Sequence, residues 1–198
     1  MAPAKKHKKA SNVIKSDTAL LLIDIINRLD FPGNEEMVAA APTLAATLKR
    51  VKKAAHKAGI ITIYLNDNYN NWHANLNEIL LDALEPGAPG RVLAESLAPE
   101  ADDFFVLKPM HSGFYGTPLA ILLNKLGVKK LILTGVAADI CVLYTANDAY
   151  MRGFKLTVIT DGVLANSEND TASALEKMKT LLKAKLVSAD QFIKSKEK

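Results

Sequence analysis

The chain has 198 residues, 49% of them hydrophobic, and one cysteine, so it can form one domain with a substantial core but no intramolecular disulfide framework. Its formal charge of +4 comes from the ends: residues 1–10 carry +4 and residues 194–198 carry +2, which leaves residues 11–193 at −2 and without a basic face for nucleic acid. No apolar segment is long enough for a membrane span or a signal peptide, so we expect a cytoplasmic protein with neither nucleic-acid nor membrane partners. We expect a disordered basic arm over residues 1–12, one domain over residues 13–193 and a flexible tail over residues 194–198.

The first predicted strand ends in an acidic residue. Residues 18–24 form a short apolar run followed by Asp24, which fits a central strand that presents a carboxylate at its C-terminal end. The alternative is that Asp24 caps a helix or belongs to a turn. Residues 25–34 contain a Pro-Gly pair and indicate a loop, and residues 35–57 predict a long helix with acidic residues in its first turn.

The second predicted strand leads into a loop rich in asparagine. Residues 60–65 are typical of a buried strand, and residues 66–72 contain four asparagines and end at Trp72, the single tryptophan. Amide side chains beside an indole would form a suitable wall for a polar substrate, whereas the alternative is a plain turn-rich connection. A short helix is predicted over residues 76–84, and residues 85–90, with two prolines and two glycines, indicate an exposed connection.

The third predicted strand ends in a lysine. Residues 104–107 are apolar, and Lys108 follows them directly. A lysine in this position is costly in a buried sheet unless it meets a carboxylate or reaches the edge of the sheet. The loop of residues 111–117 then leads into a helix predicted over residues 118–126, with Thr117 as its cap.

The only cysteine lies between a predicted buried strand and a predicted helix. Residues 131–134 form an apolar run bounded by Gly135, and a helix with Asp139 as its N-cap follows as far as Tyr150. Cys141 therefore falls in the first helical turn, where backbone N–H groups and the helix dipole would lower its pKa and stabilise a nucleophilic thiolate. The alternative is a small buried hydrophobic residue.

The remaining segments continue an alternation of strands and helices. Residues 156–159 predict a fifth strand, Asp161 and Gly162 a turn, residues 170–185 a helix and residues 186–188 a short sixth strand. This alternation implies right-handed crossovers and a parallel sheet with helices on both faces. Polar residues that follow parallel strands converge at the carboxyl edge of the sheet. The three that we expect to meet there are Asp24, Lys108 and Cys141.

Three segments make the chain resemble the isochorismatase-like cysteine hydrolase superfamily, which includes nicotinamidases, N-carbamoylsarcosine amidohydrolases and ureidoacrylate hydrolases. They are LLIDIIN at 21–27, KPMHSGFYGTPL at 108–119 and, most specific, LTGVAADICV at 133–142. They occur in the family's order and strand context, and the resemblance covers residues 18–188. It implies an α/β fold, a three-layer α/β/α sandwich with a six-stranded parallel sheet, assembled as a homodimer or homotetramer.

The resemblance also implies roles for individual residues. Cys141 would be the nucleophile, Asp24 the general base that takes its proton, and Lys108 the cation that orients and tunes the pair. A cis peptide bond is implied between Val136 and Ala137. It would direct the Ala137 N–H towards the Cys141 N–H, so that the two form an oxyanion hole.

The chain departs from the family pattern around the substrate. Nicotinamidases carry an Asp-x-His metal motif after the second strand, but residues 66–69 contain no histidine, so we predict neither a metal nor a cofactor. Ile26 stands where many members have glutamine, and Ala138 stands where threonine or tyrosine is common, so two polar contacts to the substrate are missing. The residues predicted to bind the substrate are Asn68, Trp72, Phe114, Tyr115 and Ala138.

Retention of Cys141 favours hydrolysis of a C–N bond, because family members that act on a vinyl ether can dispense with the cysteine. The sequence therefore predicts a hydrolase that cleaves a small amide or ureido compound through a thioester. The alternatives are isochorismatase-type ether hydrolysis and a catalytically idle binding member of the superfamily. A nucleotide-binding oxidoreductase is disfavoured, since no G-x-G-x-x-G motif follows a strand.

Overall fold

The computed structural model describes residues 16–197, so the predicted arm at residues 1–12 lies outside the described residues. Six parallel strands form one sheet, and helices cover both of its faces. The strands are β1 (Thr18–Ile23), β2 (Ile61–Asp67), β3 (Phe104–Lys108), β4 (Lys130–Val136), β5 (Lys155–Leu164) and β6 (Lys185–Val187). The helices are α1 (Glu35–Lys57), α2 (Leu76–Ala83), α3 (Arg91–Ser96), α4 (Leu119–Leu126), α5 (Leu143–Met151), α6 (Glu168–Thr180) and α7 (Ala189–Lys194), and a π-helical turn (Ala138–Val142) precedes α5. This is the predicted α/β/α sandwich.

The strand order puts β1 and β4 side by side at the centre of the sheet. The order is β3-β2-β1-β4-β5-β6, so the chain builds outwards from β1 in one direction and from β4 in the other. Open parallel sheets form a crevice outside the carboxyl ends of the strands where the order reverses in this way. The residues that follow β1 and β4 therefore face each other across such a crevice.

Two apolar cores hold the layers together, one on each face of the sheet. Side chains of α4, α5 and α6 pack on one face, and side chains of α1, α2, α3 and α7 pack on the other. Strand β1 contributes to both, because Leu21 and Ile23 point to the first core and Leu20 and Leu22 to the second. Burial on both faces explains why its sequence is a continuous apolar run and not an alternating one. In residues 16–197, no helix is long and apolar enough to cross a membrane.

A glycine allows β1 and β4 to approach closely at their carboxyl ends. Gly135 pairs with Ile23 in the sheet and has a φ of +115°, outside the region that residues with a Cβ favour. A Cβ at this position would lie 2.0 Å from the Ile23 carbonyl oxygen. Only glycine fits there, and this contact sets the position of the chain that carries Cys141.

The fifth strand is longer than predicted. Asp161 and Gly162 do not form a turn but lie inside β5, which continues to Leu164. The pairing register of β4 and β5 shifts between Leu133 and Gly135, and β5 then pairs again with the end of β4. A polar residue and a glycine are tolerated in mid-strand because they coincide with this irregularity.

The predicted C-terminal boundaries also require correction. Helix α6 begins and ends earlier than the predicted residues 170–185, because the Ser167 side chain caps it by accepting a hydrogen bond from the Asp170 N–H. Helix α7 was not predicted, although Ser188 and Gln191 form a capping box at its start. Lys194 is the last residue of α7 and the next two N–H groups donate to α7 carbonyls, while the flexibility of the tail stays a prediction.

Candidate active site

The first acidic side chain of the site is held in place directly after β1. Asp24 has a φ of +51°, its N–H donates to the Leu65 carbonyl at 2.8 Å, and its side chain is almost fully buried. Its Oδ1 accepts a hydrogen bond of 2.7 Å from the Asp67 N–H. These two bonds tie the loop after β1 to β2 and direct the other carboxylate oxygen, Oδ2, into the sheet edge.

Strand β2 supplies a second acid, because it extends two residues further than predicted. The side-chain amide of Asn66 donates to the Ile26 carbonyl at 2.6 Å and accepts a weaker bond of 3.4 Å from the Ile26 N–H. On the other side of β2, backbone pairing with β3 continues to the end of β3, where Asp67 lies opposite Lys108. The predicted loop begins only after Asp67.

The ammonium of Lys108 is the centre of the site. The side chain is fully buried at the end of β3, and its Nζ lies 2.9 Å from Asp24 Oδ2 and 3.2 Å from Asp67 Oδ2. Its third contact is with Cys141 Sγ at 3.4 Å. The structure therefore brings together the three residues predicted to converge and adds Asp67 to them.

Cys141 lies in a π-helical turn and not in the first turn of an α-helix. The Val142 N–H donates to the Ala137 carbonyl five residues earlier at 3.1 Å, which is the spacing of a π-turn. Asp139 lies inside this turn and is not an N-cap; its Oδ1 is buried and accepts no hydrogen bond from residues 16–197. The peptide bond between Val136 and Ala137 is cis.

Burial and charge keep Cys141 protonated in the resting site. Burial is the main factor that raises the pKa of its thiol, and the adjacent Asp24 charge raises it further, which outweighs the Lys108 ammonium. The prediction that this pKa is lowered is therefore wrong, because the sequence did not reveal that the sulfur is partly buried beside a carboxylate. Burial also raises the pKa of Asp24, against the opposing effect of Lys108. Burial alone would lower the pKa of Lys108, but the charges around it raise that pKa, so Lys108 stays an ammonium.

A cavity of about 400 Å³ opens beside Asp24 and Cys141. Its wall combines acidic, amide and apolar side chains from both sides of the sheet. The residues lining it are Asp24, Asn27, Phe31, Met37, Asp67, Tyr69, His111, Val136, Ala137, Ile140, Cys141 and Asn166. A cavity of this volume accommodates a small molecule.

The residues predicted to bind the substrate lie outside this wall. Asn68 is buried and accepts a hydrogen bond from the Asn70 N–H, and Phe114 and Ala138 belong to the apolar core. Trp72 is 75% exposed and Tyr115 is 64% exposed. Composition favoured the Asn-rich loop as a wall, but the side chains that reach the cavity from its start are those of Asp67 and Tyr69.

One of the missed residues, Asp67, carried a signal in the sequence. It lies two residues beyond the predicted second strand, so the rule that selected Asp24 at the end of the first strand points to Asp67 as well. Tyr69 lies two residues further along. Half of its surface is exposed, yet burial of its hydroxyl and the charges of Asp24 and Asp67 raise its pKa, so it is a neutral hydrogen-bond donor. In residues 16–197, no group of three or more His, Cys, Asp or Glu side chains is placed to hold a metal ion.

The sequence is similar to proteins of one family over nearly its whole described length. The family model "Isochorismatase domain" matches residues 18–191. An uncharacterized isochorismatase family protein of Bacillus subtilis, YaaI, is 36% identical over 90% of this chain and 98% of its own length. The ureidoacrylate amidohydrolase RutB of Methylorubrum extorquens is 30% identical over 73% of this chain and 68% of its own length.

Solved structures give the same result for the fold. The pyrazinamidase/nicotinamidase of Streptococcus mutans superposes with a TM-score of 0.67 at 26% identity, covering 86% of this chain and 99% of its own. An isochorismatase-like hydrolase from Alkaliphilus metalliredigens superposes with a TM-score of 0.70 at 25% identity, covering 91% and 99%. Both superpositions cover most of the chain, so the fold is shared over nearly its whole length.

Proposed function

The chain belongs to the isochorismatase family of hydrolases, and from that membership we propose that it hydrolyses a C–N bond of a small amide or ureido compound through a thioester on Cys141. The observation that best supports this is the position of the Lys108 ammonium, 2.9 Å from Asp24 and 3.4 Å from the cysteine sulfur. A nucleophile, a base and an orienting cation at one cavity are the groups that acyl transfer requires.

In the proposed first step, Asp24 accepts the thiol proton while the sulfur attacks the carbonyl carbon. The pKa of Cys141 is raised, so the thiol needs a base at the moment of attack. The pKa of Asp24 is also raised, which makes its carboxylate a better proton acceptor than an ordinary aspartate. Lys108 stays positive throughout and stabilises the negative charge that leaves Asp24 and builds on the sulfur before it reaches the carbonyl oxygen.

In the second step, the tetrahedral intermediate collapses and expels the amine. Its oxyanion would be held by the N–H groups of Ala137 and Cys141, whose residues both line the cavity. The C–N bond breaks, and the proton stored on Asp24 passes to the leaving nitrogen. Ammonia or an amine leaves, and the acyl group stays on Cys141 as a thioester.

In the last step, water replaces the sulfur. Asp24, again a carboxylate, takes a proton from water as the oxygen attacks the thioester carbon. The C–S bond breaks, the thiol regains its proton from Asp24, and a carboxylic acid leaves. For a ureido substrate the same steps release carbamate, which decomposes to carbon dioxide and ammonia.

The experiment is a turnover screen of small carboxamides, ureido compounds and isochorismate with the wild type, Cys141→Ala and Cys141→Ser. We expect ammonia or amine release by the wild type alone. Hydroxylamine added during turnover should intercept the thioester as a hydroxamate. Hydrolysis of isochorismate by Cys141→Ala at the wild-type rate, with no amide cleaved, would contradict the proposal and favour ether hydrolysis.

A further inference from the structure

We propose that this cavity selects amides whose acyl group carries no negative charge, and that Asp67 is the specificity-determining residue that excludes carboxylates. The inference rests on the proposed function and names the substrate class of the same site. It distinguishes this chain from relatives whose substrates carry a carboxylate, as the name ureidoacrylate amidohydrolase implies for RutB.

Lys108, the one lysine at the site among residues 16–197, has no hydrogen-bonding capacity left for a substrate. An ammonium has three N–H donors, and the Lys108 Nζ has three acceptors, on Asp24 at 2.9 Å, Asp67 at 3.2 Å and Cys141 at 3.4 Å. The side chain is fully buried behind these groups. Lys108 therefore orients the catalytic groups but cannot also bind a substrate carboxylate.

The charge balance of the site is negative. With Asp24 as a carboxylate, as the proposed mechanism requires, Asp24 and Asp67 place two negative charges against the single positive charge of Lys108. Asp67 is the source of the excess: its Oδ2 contacts Lys108, and its Oδ1 accepts a hydrogen bond of 2.8 Å from the Tyr69 N–H. Without Asp67, the cluster of Asp24, Lys108 and the neutral thiol would have no net charge.

The rest of the described wall does not offset this charge. Asn27 and Asn166 are neutral amides, and Phe31 is among the apolar side chains that line the cavity with them. His111 is the one basic residue among those that line the described cavity, but its side chain is exposed, where water screens charge. The chemistry of the wall suits an uncharged group that hydrogen-bonds to amides and packs against an aromatic ring.

The test compares two ligands of nearly the same shape, pyridine-3,5-dicarboxamide and 5-carbamoylpyridine-3-carboxylate, in which one carboxamide of the first is a carboxylate in the second, and kcat/KM is expressed per scissile amide. For turnover we expect kcat/KM to favour the neutral compound by at least ~10-fold, because an unpaired like charge within several ångströms of a partly buried acid is costly even at an effective dielectric constant of ~20. The same preference should appear in the Kd values of Cys141→Ala, measured by calorimetry. Equal or tighter binding of the carboxylate would overturn the inference.

Three variants test whether Asp67 causes the preference for the neutral ligand. Asp67→Asn removes the excess charge and should narrow the neutral-to-anionic ratio at least ~3-fold, while Asp190→Asn, which removes an exposed carboxylate on α7, should leave the ratio unchanged. Asn166→Asp adds an acid to the wall and should widen the ratio, which provides a second reading if Asp67→Asn does not fold. An unchanged ratio in folded Asp67→Asn would contradict the role of Asp67, and if that variant does not fold, an unchanged ratio in Asn166→Asp would contradict charge selection by the wall.

The two proposals fail in different ways. If neither ligand is turned over but Cys141→Ala prefers the neutral one, the proposed amide hydrolysis fails for this class and the inference about charge stands. If the wild type cleaves both equally well, amide hydrolysis stands and charge selection fails. Lack of binding of the neutral amide at millimolar concentration would overturn the inference.

Discussion

Replacing Lys108 by methionine tests whether its ammonium neutralises the buried acids of the site. Methionine has a similar length and no charge, so Lys108→Met removes the ion pairs without opening a large cavity. At 2.9 Å and an effective dielectric constant of ~20, the attraction between Lys108 and Asp24 is ~6 kcal/mol. Desolvation of the two ions offsets part of it, and loss of one partner of a buried pair typically costs ~3–5 kcal/mol.

The contact between Lys108 and Asp67 adds little to the expected loss of stability, because the Asp67 side chain is 26% exposed and water screens the pair. We therefore expect the free energy of unfolding to fall by ~3–5 kcal/mol at neutral pH, which corresponds to a melting temperature ~6–20 °C lower. Far-UV circular dichroism should follow unfolding, because the single tryptophan is largely exposed and a poor reporter of it. Turnover should fall at least ~10²-fold at temperatures where the variant is folded.

The loss of stability should itself depend on pH. Without the ammonium, the pKa of Asp24 in the folded protein rises further above its unfolded value. A carboxyl group with a raised folded pKa contributes stability at low pH that is lost as pH rises. The stability difference between Lys108→Met and the wild type should therefore be largest near neutral pH and shrink on acidification.

Lys52→Met is the matched control. Lys52 is also nearly buried, and its Nζ lies 2.7 Å from the buried Asp103, but neither residue lines the cavity. This variant should lose comparable stability and keep its kcat. Equal loss of kcat in both variants, or an unchanged stability of Lys108→Met, would refute the reasoning that Lys108 acts as a buried counterion of the site.

Three further predictions concern the base, its titration and the glycine between the central strands. Asp24→Asn should stay folded and lose at least ~10²-fold in kcat, and near wild-type turnover on a confirmed substrate would return Asp24 to a structural role. Because burial raises the pKa of Asp24, kcat/KM should fall on acidification at a pH above the ~3.9 of an ordinary aspartate, and a rate that stays constant down to that pH would contradict this. Gly135→Ala should lower the free energy of unfolding in urea by more than ~3 kcal/mol, because its Cβ would meet the backbone of Ile23; a neutral effect would show that the strands can separate.

Helix α1 and strand β1 were predictable because their sequence signals are strong and local. Helix α1 begins and ends at the predicted residues, since 23 residues of helical periodicity with acids at the start and a lysine at the end leave little ambiguity. Strand β1 was predicted to within one residue because both of its faces are buried. Helices α3 and α7 were missed because six residues are too few to establish a period.

The site was predictable to the extent that it depends on the carboxyl ends of strands. Asp24, Lys108 and Cys141 each lie at or beyond the carboxyl end of a strand, and the parallel topology brings them together. The other properties of the site depend on burial and on tertiary contacts. The raised pKa of Cys141 depends on its burial and on a carboxylate from another strand. The wall of the cavity comes from loops whose course no local pattern encodes. Homo-oligomer formation, the cytoplasmic location and the basic arm stay predictions.

The place of β3 in the sheet has a consequence for dynamics. Within residues 16–197, β3 is an edge strand that pairs only with β2, so fewer hydrogen bonds hold it than hold β1 or β4. Edge strands open locally at a lower free energy than central strands, so amide hydrogens of β3 should exchange with solvent before those of β1 and β4. Each such opening withdraws Lys108 while Asp24 and Cys141 stay on the intact centre of the sheet. Mild denaturant should therefore abolish turnover at a lower concentration than the one that changes the far-UV circular dichroism of the helices.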